Sequence, residues 1–451
     1  MQPRTPLTIR RSGHNISRSL ISPNALRILY RLRDNGFKAF LVGGSVRDLL
    51  LERTPKDFDL ATDATPAEIK KLFRNCRLVG RRFRLAHLHF KDEIIEVATF
   101  RKGGDPAELD EADAVADDSG AEQPEAPHRT LGHLHKSDEG VLLRDNLFGT
   151  PEEDAWRRDF TVNALSYNIA DFVIIDYVGG VEDLQKRLIR TIGDPAGRFA
   201  EDPVRMLRAI RFAAQLDFTI EHHSWEAMRA DARRITLASP VRLFDEVVKL
   251  FLSGGAEKCW QLLWDSGLAE AIFPDFSAWL TSSETISGLK ALPWLDAAVQ
   301  SKKAVSPPLF LALFFGDYLA VKGEGLICRG DSFQARLDGS LALFMEEAGG
   351  RLSIPQRTVM RLREILLLQQ RLLKTPGKKP ENVIARPGFG EALEYLRFCT
   401  IDNAALGKTA HWWEHFSAAK KPLSADGGEA FSGEVQRRKR TRRRRRRPKP
   451  A

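Results

Sequence analysis

The chain has 451 residues, enough for two to four domains and a substantial core. No run of about 18 apolar residues occurs, so no membrane-spanning helix is expected. The net charge is +9, but residues 437–449 hold eleven Lys and Arg and no acid, and 9 − 11 = −2 leaves a nearly neutral body with a basic tail.

A tail of that charge reads as an interaction segment for a polyanion. The four cysteines (Cys76, Cys259, Cys328 and Cys399) are scattered, which argues against a zinc site or a disulfide framework and fits a reducing, cytoplasmic setting. The start, MQPRTPLTIRRSG, is basic but lacks an apolar stretch, so no signal peptide is expected.

Residues 1–15 read as a disordered N-terminus. Ser22-Pro23-Asn24 opens an amphipathic helix with Ala25, Ile28, Leu29 and Leu32 on one side, and Asn35-Gly36 ends it. Residues 37–42, FKAFLV, read as a strand. Gly43-Gly44 follows, and then SVRDLLL reads as the opening of a helix. Two glycines at that junction leave the backbone bare, so N–H groups can approach a phosphate. Ser45 can cap the helix, and Arg47 can add a fork of charged donors.

A dozen residues later stands Asp57-Phe58-Asp59. Alternation along a strand puts Asp57 and Asp59 on one face and Phe58 into the core. Two carboxylates on one face suit paired Mg²⁺ ions that clamp an in-line phosphoryl or nucleotidyl transfer. Each device alone is commonplace, as a tight turn or as solvated turn chemistry. Together, in strand–turn–helix–turn–strand order, they point to nucleotide chemistry.

Thr65-Pro66-Ala67-Glu68 opens another helix. An arginine-rich run over 77–84 precedes two strands of a hairpin, 87–90 and 94–100, turned at Lys91-Asp92-Glu93. His87 and His89 sit two apart, which reads as the polar face of a strand rather than a metal pair. Residues 103–127 form an acidic insertion: between Asp105 and Glu125 there are nine acids and no Lys or Arg. Ordered sequence returns at Glu152, with a helix expected to bear Asp159 and a strand or helix extension expected over 172–177. A long helix is expected from about Asp202, placing Glu201, Asp202, Arg205 and Arg208 at spacings of three and four on one polar face. Beyond residue 220 the pattern is mainly helical, with amphipathic stretches over 240–250, 256–270, 306–320 and 355–373. Trp412 and Trp413 read as helix packing rather than base-stacking platforms.

Gly43-Gly44-Ser45 with Arg47-Asp48, followed by Asp57-Phe58-Asp59, resembles the head-domain signature of the class II branch of the DNA polymerase β-like nucleotidyltransferases. That branch holds CCA-adding enzymes and bacterial poly(A) polymerases. The resemblance continues through Arg157-Arg158-Asp159-Phe160-Thr161-Val162-Asn163-Ala164, Asp176-Tyr177-Val178-Gly179-Gly180 and Glu201-Asp202-Pro203-Val204-Arg205-Met206-Leu207-Arg208. Residues 73–90 and the Arg-rich C-terminus resemble the bacterial poly(A) polymerase I branch. The acidic insertion departs from the family pattern.

The resemblance implies an α/β nucleotidyltransferase (DNA polymerase β-like) head followed by a mostly helical neck and body, with a disordered basic C-terminal tail. The expected domains are a disordered 1–15, a head over 16–180 with the insertion 103–127, a neck over 181–245, a body over 246–424 and a tail over 425–451. It implies Asp57, Asp59 and Asp159 as catalytic acids, the first two binding Mg²⁺ (two ions). It also implies contacts to ATP from Gly43, Gly44, Arg47 and Arg158. For Glu201, Asp202, Arg205 and Arg208, spacing alone reads as a salt-bridge ladder; beside the head motifs it reads as a side-chain template for the base. Arg442, Arg443, Arg444, Arg445, Arg446 and Arg447 are the expected RNA-binding tail.

The expected activity is template-independent addition of AMP from ATP to RNA 3′ ends, with the RNA-decay machinery as a further partner. A CCA-adding tRNA nucleotidyltransferase is the near alternative. A non-catalytic RNA-binding adaptor is the distant one, and it predicts a lost carboxylate.

Overall fold

The computed structural model describes residues 5–80, 85–102, 148–282, 287–326, 332–377 and 379–420. The acidic insertion 103–127 and the tail 425–451, with Arg442 to Arg447, lie outside the described residues.

An eight-stranded sheet forms the first half. Its strands are β1 (Leu7–Ile9), β2 (Ala39–Val42), β3 (Asp59–Thr62), β4 (Cys76–Val79), β5 (Leu85–His89), β6 (Ile94–Thr99), β7 (Ser166–Asn168) and β8 (Val173–Asp176). They run in the order β1-β8-β7-β2-β3-β6-β5-β4. β2 is central and buried along its length, which is why FKAFLV carries no alternation. The N-terminal run is not disordered as expected from 5 onward: β1 pairs antiparallel with β8, Leu7 opposite Asp176, closing one edge. The arginine-rich run starts within a strand, because β4 pairs with β5 at the other edge, Arg77 opposite His87.

Helices α1 (Pro23–Asp34), α2 (Gly44–Leu50) and α3 (Pro66–Leu72) punctuate these strands. α1 buries the four apolar residues that its period announces. The start of α3 is fixed by a capping box between Thr65 and Glu68. After the insertion, α4 (Pro151–Trp156) begins with a second capping box, Thr150 with Glu153. Arg101 bridges to Phe148, so the sheet is rejoined where it was left.

The Asp176–Gly180 motif is structural. Asp176 Oδ1 accepts from the N–H groups of Val178, Gly179 and Gly180, and Oδ2 from that of Val181. This caps α5 (Gly180–Gln185). A Cβ on Gly180 would lie 2.2 Å from the Thr161 carbonyl oxygen, so only glycine permits the approach.

The helical half follows, through α6 (Pro195–Glu201), α7 (Val204–Leu216), α8 (His222–Ala230) and α9 (Pro240–Leu252). Further helices, Pro307–Glu324 and Gln356–Leu372 among them, carry the chain to Lys420. Their core is aromatic: Phe310 stacks on both Phe251 and Phe314, and Phe314 meets Trp260 edge-on and Phe276 at a tilt. Trp413 is fully buried and donates to the Leu372 carbonyl at 2.9 Å, as helix packing requires. Among the described residues no helix is long and apolar enough to cross a membrane.

Candidate active site

The site is assembled by strand register. β2 and β3 are antiparallel with Val42 opposite Asp59. Gly43 directly follows Val42, so the glycine turn and the acidic pair occupy the same end of the sheet. Gly43 has φ +73° and ψ −138°, a backbone that side-chain-bearing residues rarely adopt. A Cβ there would also come within 3.0 Å of Arg158 Nη1. Gly44 opens α2. Ser45 does not cap this helix; it is buried, and its hydroxyl donates to the Val42 carbonyl at 2.9 Å.

Asp59 opens β3 and Asp57 precedes it; both are exposed, while Phe58 between them packs on the core. The carboxyl of Asp59 is pushed up to about 6. Partial withdrawal from water is the largest cause, repulsion from Asp57 and then Glu96 adds to it, and Arg158 pulls the other way. Carboxylates held against their own repulsion are the donor set a divalent cation neutralises, so these residues fit Mg²⁺. Glu96 reaches the site because β6 runs parallel beside β3, with Val97 alongside Leu60. The sequence offered no sign of it. Its carboxylate also approaches His87 Nε2 at 3.5 Å.

Both arginines expected at the triphosphate are anchored by neighbours. Arg47 is buried; Nε donates to Asp48 Oδ1 at 2.8 Å, and Nη1 to Asn163 Oδ1 at 2.6 Å. Arg158 donates from Nε and Nη2 to Asp154 Oδ2, and from Nη1 to the Asn163 carbonyl at 3.1 Å. Burial pushes the Asp154 carboxyl up, but the charges of Arg158 and Arg157 more than reverse this and leave it below its ordinary value. Asp154 and Asn163 are thus the residues that hold the arginines in place. Sequence reading assigned neither a role, because neither is a charge donor to phosphate.

Asp159 is not on a helix, as expected, but in the turn after α4. No group of three or more acids, His or Cys suited to a metal occurs among the described residues. The Asp159 oxygens are occupied. Oδ2 accepts from Arg208 Nε at 2.8 Å and lies 2.6 Å from Nη2, while Oδ1 accepts from the Phe160 N–H and Asn163 Nδ2. Burial raises its carboxyl, and the Arg208 charge with these hydrogen bonds outweighs burial and brings it below the ordinary value.

The expected template helix is broken at its first turn. α6 ends at Glu201, Asp202 is its extended C-cap, and α7 starts at Val204 after Pro203. Proline without an N–H suits the start of a helix and not its interior. The four polar residues therefore do not share one helix face. Asp202 is buried and clamped by Arg242 of α9, Nη1 to Oδ1 at 3.0 Å and Nη2 to Oδ2 at 2.8 Å. Arg205 is buried and donates to Glu201 Oε2 at 2.9 Å and to the Arg198 carbonyl at 2.8 Å. Arg208 pairs with Asp159. Arg198 closes the group by donating from Nη2 to the carbonyls of Arg157 and Arg158. Asp202 and Arg205 remain adjacent through the Arg205 N–H to Asp202 carbonyl bond of 3.1 Å.

Three family models match the chain: the poly A polymerase head domain over residues 39–190, a probable RNA and SrmB-binding site of polymerase A over 217–280, and the polymerase A arginine-rich C-terminus over 330–448. Poly(A) polymerase I of Salmonella typhi is 41% identical over 426 residues, covering 92% of this chain and 86% of the relative. The CCA-adding enzyme of Lactobacillus johnsonii is 36% identical over 248 residues, covering 55% of this chain and 54% of the relative. Among solved structures, the Bacillus stearothermophilus CCA-adding enzyme in complex with CTP superposes with a TM-score of 0.57 at 23% identity, covering 88% of this chain and 83% of that one, which shows a shared fold. With the glycine turn, the acidic pair and a match along nine-tenths of its length, the chain belongs to the poly(A) polymerase I family of nucleotidyltransferases.

Proposed function

We propose that this chain is a template-independent polynucleotide adenylyltransferase that adds AMP from ATP to RNA 3′ ends. The observation that carries the reading is the β2–β3 register, which sets Gly43 and Gly44 beside Asp57 and Asp59, with Arg158 against the same end of the sheet. Asp57 and Asp59 would hold two Mg²⁺ ions, which activate the primer 3′-hydroxyl and neutralise the leaving pyrophosphate when bound. The bare backbone at Gly43 and Gly44 lets the triphosphate lie close. Arg158, fixed by Asp154, supplies positive charge beside Asp59, and Arg47 supports the turn from beneath. Positioning and charge supply most of the rate in such a reaction. Asp159 acts through Arg208, joining the acidic end of the sheet to α7.

Asp202 and Arg205 would read the base. A carboxylate accepts from an exocyclic amine, and a guanidinium donates to the adjacent ring nitrogen. Adenine and cytosine both present that pair of groups, whereas guanine and uracil do not. The likeness to poly(A) polymerase I along most of the chain, against about half for the CCA-adding relative, supports adenylate addition. The product tail would then be a landing site for RNA-decay machinery. The test supplies ATP or CTP singly, with Mg²⁺, to an unstructured RNA and to a tRNA lacking its terminal CCA. Many adenylates on the unstructured RNA support the reading. Addition limited to two C and one A on the tRNA moves the chain to the CCA-adding reaction.

A further inference from the structure

A groove of about 780 Å³ runs along the helix Gln356–Leu372, and three of the arginines lining it are not neutralised. Arg357 and Arg371 lie fourteen residues apart on one face of that helix, which at 1.5 Å per residue is about 21 Å. Arg386 joins them from the segment after Glu381–Ile384. All three are exposed, and none has an ion-pair or side-chain hydrogen-bond partner among the described residues. Their neighbours differ in this respect. Arg361 is held by Glu364 and Glu391, and Arg363 by Asp338 through two bonds of 2.5 and 2.8 Å. Glu364 is the one acid on the groove wall, and it is already spent. Met360, which is exposed, lines the same groove.

The chain links the groove to the residues proposed to read the base. The Ser353 N–H donates to the Pro240 carbonyl at 3.0 Å. Pro240 opens α9, two residues before the Arg242 that clamps Asp202. Arg357 follows Ser353 by four residues, a reach of at most about 14 Å.

From these positions we propose that the groove binds the phosphodiester backbone of the RNA upstream of its 3′ end. The proposal rests on the reading of the chain as acting on RNA 3′ ends. Arginines spaced along an open groove match a repeating anion whose charges recur at intervals. Because every phosphate is alike, such contacts hold RNA of any sequence and allow it to slide. The exposed Met360 offers an apolar surface for a base face between phosphate contacts. The groove therefore serves RNAs long enough to pass the site and reach the helix, and it does not serve very short primers.

The experiment uses the full chain carrying R357Q, R371Q and R386Q together. Initial rates of ATP-dependent extension are measured on an RNA of about 5 and one of about 30 nucleotides, across a salt series. The expected result is a KM for the long RNA raised about tenfold, an unchanged KM for the short RNA, and an unchanged kcat on both. The salt slope for the long RNA should flatten by about 2, since three single-strand phosphate contacts are lost at about 0.7 each. An unchanged KM for the long RNA overturns the proposal, as does an equal rise for both RNAs. Loss of polyglutamate binding with RNA kinetics intact also overturns it, in favour of an acidic protein partner. If wild type extends no RNA, the activity reading fails, and fluorescence anisotropy of the labelled long RNA decides the groove by the same comparison. If the triple variant melts early, R371Q with R386Q is measured against the same criteria.

Discussion

Arg208 of α7 grips Asp159 of the sheet domain, with Nη2 2.6 Å and Nε 2.8 Å from one carboxylate oxygen. The acid expected as the third catalytic carboxylate ties the sheet to the helices behind it. Asp159→Asn should destabilise the protein by about 2 kcal/mol, below the range for fully buried pairs because a third of the Arg208 side chain faces water. The sign with pH follows from the direction of the shift. A carboxyl lowered by folding stabilises above its unfolded pKa of about 3.9 and loses that contribution as pH falls through its lower folded value. The gap in unfolding free energy between wild type and variant should therefore be full at pH 7 and shrink below about pH 4. A gap that stays constant down to pH 2 would mean that the pair contributes nothing through charge.

Asp57→Ala and Asp59→Ala should each reduce nucleotide addition by at least about 100-fold. The same changes should leave the thermal midpoint unchanged or slightly raised, because each removes repulsion that lifts the Asp59 carboxyl. Glu96→Gln removes a weaker source of the same repulsion. It should shift the Mg²⁺ dependence of the rate without abolishing it. Near-normal turnover in either aspartate variant would remove the metal site from this end of the sheet.

Asp202→Ala breaks the clamp with Arg242 and, on the proposed reading, also removes half of the base contact. Both stability and the preference for ATP over CTP should fall, the latter by roughly 1–3 kcal/mol per lost bidentate contact. Arg242→Gln separates the two effects, since it loosens the carboxylate but keeps it. An Asp202→Ala protein that melts early yet keeps its nucleotide preference would make this residue a strut alone.

Deleting residues 437–451 removes the eleven basic residues of the tail. RNA affinity should drop and its salt dependence flatten, with turnover at saturating RNA nearly unchanged. Identical salt slopes for the full and shortened chains would confine RNA contacts to residues before 437.

Short-range features were legible in the sequence. The glycine turn, the Asp57–Asp59 pair, α1 and α3 all rest on neighbours a few residues apart, where spacing and capping chemistry speak directly. What failed depended on distance. Arg242 meets Asp202 across forty residues and Glu96 reaches Asp59 through strand order, and neither leaves a period in the chain. Strand β1 was missed because three residues carry too little alternation to register. The helix Pro307–Glu324 reads as amphipathic in part, yet it is buried on nearly every side, because other helices surround it. Proline at 203 was the legible warning that one polar face could not run from Glu201 to Arg208.

The bridge between Arg101 and Phe148, reinforced by the Gly149 N–H to Phe100 carbonyl bond of 2.8 Å, makes the head indifferent to how much chain is strung between those points. Closing a loop costs only about 0.6 kcal/mol more for each doubling of its length. A longer, shorter or differently charged stretch there therefore needs no retuning of the sheet. A laboratory can use the same seam as a splice point, replacing residues 103–147 with a brief glycine–serine turn or with a fluorescent reporter whose ends lie close together.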